Sequence, residues 1–170
     1  MFTLITGGSA SGKSEYAEQH AVSLGGRLIY VATMQPYDDE CLARIAKHQS
    51  LRSGRGFQTL ERYTDLAGLN VPDESNVLLE CLGNLTANEL YSQSGGGDRA
   101  VILGIEALLG RCRHLTVVTN EIFSGGADYE GDTLNYMRAL AAINRRLARR
   151  ADMVVEVVAG CPNFLKGAWQ

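Results

Sequence analysis

Eight residues near the start constrain this chain most: Gly7-Gly8-Ser9-Ala10-Ser11-Gly12-Lys13-Ser14, in the register G-x-x-x-x-G-K-S. The apolar run before them, residues 1–6, reads as a buried strand, and a helical pattern follows over residues 13–24. Strand, glycine loop and helix together turn this spacing from a string match into a phosphate cradle. A polyphosphate must be wrapped by backbone N–H groups, so the loop needs glycines that accept unusual backbone angles and let an anion come close. The helix N-terminus adds partial positive charge at the same place. Lys13 is then set to reach β- and γ-phosphates, and the Ser14 hydroxyl to take a Mg²⁺ position. Residues 7–14 are read as nucleotide-binding on these grounds.

What surrounds the loop is ordinary for a globular enzyme-sized domain. The 170 residues are read as one domain, spanning 1–170, with enough chain for a sizeable core. The net charge of −3 argues against a non-specific nucleic-acid or membrane partner. Arg145-Arg146 and Arg149-Arg150 group basic charge on one helix, read as a solvated face. No stretch approaches the ~20 apolar residues of a membrane span, and no charged leader precedes the first strand, so a cytoplasmic protein is expected. Cys41, Cys81, Cys112 and Cys161 are scattered without a C-x-x-C pair and read as small hydrophobes.

Along the chain, strands alternate with helices. Residues 27–33 form a second strand after the Gly25-Gly26 stop, a βαβ arrangement that predicts a parallel sheet. Asp38 and Asp39 offer an N-cap and an acidic first turn to a helix over 39–49. Residues 50–56 read as a polar loop carrying Arg52 and Arg55, and 57–62 as an edge strand. A short helix and turn fill 63–72. Residues 75–82 are an apolar strand, followed by a helix over 85–92. After the Ser94–Gly97 joint, Asp98 is expected to cap a helix reaching residue 113. A strand at 115–119 ends in Asn120-Glu121, and the loop 122–131 is a candidate mobile segment. A long helix over 132–150, a strand over 153–158 and a tail over 159–166 complete the chain. About five core strands with right-handed crossovers on a parallel sheet follow.

Two residues beyond the loop are chemically suggestive and open to two readings each. Glu80, at the end of an apolar strand, has the form of the acid that helps hold Mg²⁺ beside a phosphate loop, or of a capping and packing group. His48 sits among Arg44, Lys47, Arg52 and Arg55 without metal-ligand spacing. It is an ordinary helix-end histidine, or a neutral imidazole that attacks phosphorus while the cations hold phosphates. Nearby positive charge lowers a histidine pKa and favours that neutral form. His20 is read as a surface or packing residue, and His114 starts a strand without an acid or cysteine partner at motif spacing.

Four stretches carry a resemblance. They are the opening Ile5 to Ser14; Tyr30-Val31-Ala32-Thr33 with Asp39-Glu40 and Arg44-Ile45-Ala46-Lys47-His48; Leu79-Glu80-Cys81-Leu82 with Asn88; and Val118-Thr119-Asn120-Glu121 with the terminal Gly160-Cys161-Pro162 and Leu165-Lys166. Together they resemble the bifunctional adenosylcobinamide kinase/adenosylcobinamide-phosphate guanylyltransferase family of cobalamin assembly. The R-I-x-x-H block behind a glycine loop is its specific part. The resemblance implies an α/β P-loop NTPase fold, RecA-like, with a mostly parallel sheet flanked by helices. It implies that ATP or GTP phosphorylates the aminopropanol hydroxyl of adenosylcobinamide, and that GMP then passes from GTP to that phosphate. His48 would carry the covalent guanylyl group, with Lys13 beside it in catalysis. Arg44, Arg52 and Glu61 would join residues 7–14 around the nucleotide, and Ser14, Glu80 and Glu121 would face Mg²⁺. The partners implied are nucleotide and corrinoid substrates and a homo-oligomer, a trimer in the family. Where the family has R-R-P and then tryptophan after the histidine, this chain keeps Arg52 but continues Ser53-Gly54-Arg55-Gly56-Phe57.

Overall fold

The computed structural model describes residues 1–123 and 128–167; within the helix Asp39–Arg52 the side chains of Arg44, Lys47, His48 and Leu51 are outside the description. The expected mobile loop 122–131 therefore lies partly outside the described residues. Those described form seven strands: β1 (Phe2–Thr6), β2 (Leu28–Ala32), β3 (Phe57–Glu61), β4 (Asn76–Glu80), β5 (His114–Val118), β6 (Met153–Val158) and β7 (Cys161–Lys166). They join in one sheet of order β3-β2-β4-β5-β1-β6-β7. Every pairing from β3 to β6 is parallel, and β7 alone runs antiparallel, against β6. Five helices connect them: α1 (Lys13–Ser23), α2 (Asp39–Arg52), α3 (Leu82–Tyr91), α4 (Gly97–Leu109) and α5 (Gly131–Arg150). A 3₁₀ turn, Leu66–Gly68, lies between β3 and β4.

The five inner strands of the sheet, β2, β4, β5, β1 and β6, are buried on both faces, as their continuous apolar runs require. On one face Ile5, Leu78, Val118 and Val155 pack against Ala17 and Ala21 of α1. On the other, Leu4, Leu79 and Val117 meet Leu82, Leu85, Ile105, Leu108 and Leu140 of α3, α4 and α5. Alternation along each strand sends neighbours to opposite faces. Each fully buried leucine or isoleucine there contributes roughly 1.5–3 kcal/mol of transfer free energy. The chain leaves β1 toward β2 on one side and leaves β5 toward β6 on the other. The crevice for a ligand opens at the carboxyl ends of the strands near such a reversal.

Several boundaries differ from the sequence reading. The expected tail is strand β7, joined to β6 by Ala159 and Gly160, both at positive φ (49° and 79°), as a two-residue hairpin requires. Its residues are exposed and include Pro162, which a sheet accepts only at an edge, so neither alternation nor composition signals it. Helix α2 runs three residues past 49, taking Arg52 out of the expected loop; the first left-handed residue, Gly54 at φ 83°, comes after its end. Asp38 does cap it, accepting from the Cys41 N–H at 2.7 Å. Asp98 does not cap α4. Gly96 holds that position, and its N–H donates to the Glu89 carboxylate at 2.7 Å. Helix α3 starts at Leu82 rather than 85 because the Cys81 sulfur accepts from the Asn84 N–H at 3.4 Å, an unusual cap.

His20 is a packing residue. The residue is 3% exposed, and its ring meets Thr3 Oγ1 at 3.1 Å and stacks on Tyr16. Burial, and secondarily His114, holds its pKa down to about 4. The unfolded chain, near 6.5, therefore binds more protons between pH 6.5 and 4, and stability is lost as pH falls through that window. Urea unfolding at pH 7 and pH 4.5 should show a fall of about 2–3 kcal/mol attributable to this ring. His20→Gln should lose that portion of the pH dependence; equal slopes for both proteins contradict the assignment.

Candidate active site

The glycine loop spans residues 7–12 between β1 and α1. A Cβ on Gly7 would come within 2.5 Å of the Val157 carbonyl and 2.6 Å of Ser11 Oγ. Gly12 sits at φ 90°, and a Cβ there would lie 3.2 Å from the Gly160 Cα. The Gly160 N–H also donates to the Ser11 carbonyl at 2.8 Å. The β6–β7 turn thus braces the loop from behind, a contact the sequence reading missed together with the strand. Lys13 folds back along the loop, its ammonium donating to the Gly8 carbonyl at 2.9 Å.

The loop forms one wall of a cavity of about 620 Å³ at the carboxyl ends of the strands. That volume suits a nucleotide-sized ligand. Its floor is the α1-side face of the sheet. In register, Ala32 of β2 lies between Glu61 of β3 and Glu80 of β4. The two acids therefore flank one small residue, their Cα atoms about 10 Å apart on strand spacing. Ser14 Oγ donates to Glu80 Oε1, and the Tyr30 hydroxyl donates to Oε2 at 3.3 Å. Burial and then the Glu80 charge push the Tyr30 pKa far up, so the phenol stays a donor. Cys81, not Glu80, caps α3, and the Glu80 carboxylate faces Ser14 and Tyr30.

Glu61 is exposed at the far end of the floor and accepts from the Tyr63 hydroxyl at 2.8 Å. Glu121 lines the same cavity; its N–H donates to the Gly7 carbonyl at 3.1 Å and its carboxylate accepts from the Phe123 N–H at 2.8 Å. Asn144 of α5 supports this rim, its amide meeting Thr119 Oγ1 at 2.8 Å and the Asn120 carbonyl at 3.4 Å.

Helix α2 roofs the cavity. Ile45, Gln49 and Arg52 line it. By backbone periodicity positions 45, 48, 49 and 52 fall on one stripe of the helix. The side chains of His48 and Arg44 lie outside the described residues. Arg52 is 7% exposed, with its guanidinium carbon 3.4 Å from the Tyr30 ring centroid. Its Nη1 is buried without a hydrogen-bond partner among the described residues. A buried cation held on an aromatic face with a spare donor suits an anion in the adjoining cavity. Just beyond, Arg55 pairs at 2.9 Å with Glu18 of α1, whose pKa burial raises and Arg55 partly restores. The arginines thus tie the C-terminal end of α2 and the following loop to the sheet and to α1.

The structure therefore gathers Lys13, Ser14, Arg52, Glu61, Glu80 and Glu121 around one cavity, with α2 above it. Among the described residues no helix is long and apolar enough to cross a membrane.

The family described as cobinamide kinase / cobinamide phosphate guanyltransferase matches residues 3–165. The bifunctional adenosylcobalamin biosynthesis protein CobU of Salmonella typhimurium is 33% identical over 178 aligned positions, covering 94% of this chain and 97% of the relative. The bifunctional protein CobP of Pseudomonas aeruginosa is 33% identical over 174, covering 98% of each. Among solved structures, an ATPase from the type III secretion system of pathogenic bacteria superposes with a TM-score of 0.51 at 13% identity. It covers 91% of this chain and 50% of that one, a likeness of fold: a mostly parallel P-loop ATPase sheet with flanking helices. With the family match running from β1 to β7 and relatives of about the same length sharing a third of their residues, this chain belongs to the cobinamide kinase / cobinamide phosphate guanyltransferase family.

Proposed function

We propose that the chain phosphorylates adenosylcobinamide with ATP or GTP and then moves GMP from GTP onto that phosphate through a guanylyl group carried by His48. The observation that carries this reading is one cavity in which Lys13, Ser14, Glu80 and Arg52 converge beneath α2, the helix that carries position 48. In the first step the aminopropanol oxygen attacks the γ-phosphorus, the bond to the β-phosphate oxygen breaks to release the nucleoside diphosphate, and the hydroxyl proton passes to solvent. In the second, a ring nitrogen of His48 attacks the α-phosphorus of GTP and pyrophosphate departs. In the third, an oxygen of cobinamide phosphate attacks that phosphorus, the P–N bond breaks, and the imidazole is regenerated.

Each described residue has a physical task in this scheme. The loop N–H groups and Lys13 hold phosphate oxygens as charge shifts among them. Arg52 offers its spare donor to the same polyphosphate. Ser14 and Glu80 present hard oxygens side by side, which fits Mg²⁺, an ion that takes one or two protein oxygens and completes its shell with phosphates and water. Bound there, Mg²⁺ would neutralise phosphate charge. Glu121, past the end of β5 and bonded to the loop through its N–H, is a metal-side or positioning acid. Glu61, at the far end of the floor, would accept from the N1–H and amino group of guanine, donors that adenine does not present together at that edge.

The test is a pair of labels. Purified protein is given adenosylcobinamide with γ-labelled ATP, and in parallel with α-labelled GTP plus unlabelled ATP. Both labels should enter the corrinoid. Label from the γ-position alone leaves a simple kinase, and label from neither, with tight nucleotide binding, leaves a regulator; either result overturns the proposal.

A further inference from the structure

One buried amide lies behind the cavity floor, outside the lining already described. Asn88 of α3 is 7% exposed, and its Nδ2 donates to the Thr33 carbonyl at 2.8 Å and to the Tyr63 carbonyl at 3.0 Å. Both acceptors are carbonyls, so only the NH₂ end can face them and both its protons are used. Thr33 is itself fully buried and clasps the end of β4. Its Oγ1 accepts from the Cys81 N–H at 2.8 Å and donates to the Cys81 carbonyl at 2.8 Å, while its own N–H donates to the Glu80 carbonyl at 3.2 Å. Tyr63, the second acceptor, closes on Glu61 through its hydroxyl. One side chain thus ties together the segments leaving β2 and β3 and, through α3 and Thr33, the end of β4. Those three strand ends carry Glu61, Ala32 and Glu80 in register.

We propose that Asn88 is a positioning residue for the nucleotide reaction, acting through Thr33 to hold the Glu80 carboxylate against Ser14. The inference rests on the reading of Ser14 and Glu80 as the metal-side pair. Strand ends in an open sheet lack further ladder partners, so their spacing depends on such cross-braces. With the carboxylate displaced by a fraction of an ångström, the loop still holds phosphate but the carboxylate loses its share of the ion.

The test compares wild type with Asn88→Ala and Thr33→Val, the second removing only the hydroxyl clasp. Thr86→Val serves as the control, since its buried hydroxyl bonds Leu82 within the same helix. Affinity for a fluorescent GTP analogue is measured in EDTA and in Mg²⁺, alongside kcat and KM for phosphate transfer. Asn88→Ala and Thr33→Val should match wild type in EDTA within about threefold. They should lose the extra affinity that Mg²⁺ confers, and their kcat should fall about 10–100-fold with nucleotide KM little changed. Thr86→Val should keep the wild-type pattern. If Asn88→Ala weakens binding equally with and without Mg²⁺, or behaves as Thr86→Val does, the positioning role is overturned. If wild type itself shows no Mg²⁺ dependence of binding, the metal-side reading has failed and the inference falls with it. Should Asn88→Ala not fold, Thr33→Val decides alone by the same two readouts.

Discussion

His48→Ala should abolish GMP transfer while leaving phosphorylation of adenosylcobinamide within about threefold of wild type. A removed nucleophile has no substitute in a covalent mechanism, and the expected loss in the transfer step is about 10⁴-fold or more, or ~5 kcal/mol of barrier. In the proposed scheme the kinase step passes the γ-phosphoryl directly to the acceptor hydroxyl, without use of the imidazole. The two half-reactions are therefore separable in one protein. The measurement is the ratio of cobinamide phosphate to GDP-cobinamide formed from ATP and GTP. Parallel loss of both activities at an unchanged melting temperature would assign His48 to shared nucleotide binding rather than to attack on phosphorus.

The second large effect reverses that selectivity. Lys13→Ala should depress both steps, each by about 10²–10³-fold, because in the proposed scheme one ammonium serves both triphosphates. It sits at the first turn of α1 with Nζ against the Gly8 carbonyl, in the curve of the loop itself. Removing it leaves loop and helix intact, so the melting temperature should move by only a few degrees. Lys13→Arg should not restore activity, since a planar fork cannot occupy the place of a compact point charge among backbone N–H groups. A variant that loses one step and keeps the other would show that the two reactions use different triphosphate sites.

The contrast between these variants reflects how differently their positions could be read. The loop is local. Gly7, Gly12, Lys13 and Ser14 lie within eight consecutive residues, and the physics that selects them acts over that distance. Strand polarity and the acid at the end of β4 were legible for a similar reason: a parallel sheet sends the carboxyl ends of its strands to one edge. The contacts that complete the site are not local. Glu80 meets Ser14 across 66 positions, Asn88 meets Thr33 across 55, and Gly160 braces Ser11 from the far end of the chain. No periodicity announces such pairs. Arg52 was expected near the nucleotide, yet its seat on the Tyr30 ring depended on α2 continuing through residues that look like loop. Cys81 as a cap and Glu89 as the acceptor for Gly96 and Asp65 were invisible because neither residue stands where capping statistics look. Strand β7 was missed because an exposed edge strand with a proline has no buried face to impose alternation.

The central claim is that a nucleoside monophosphate becomes bonded to α2 beside the glycine loop. The direct measurement is to incubate the protein with α-labelled GTP and Mg²⁺, quench, and follow protein-bound label before and after a chase with adenosylcobinamide phosphate. The account expects about one label per chain, labile in acid and stable in base as a phosphoramidate is. The label should lie on the peptide containing His48, be absent from His48→Ala, and be discharged into the corrinoid on the chase. Protein that completes GMP transfer without ever holding label, or label that survives the His48 substitution, would contradict it.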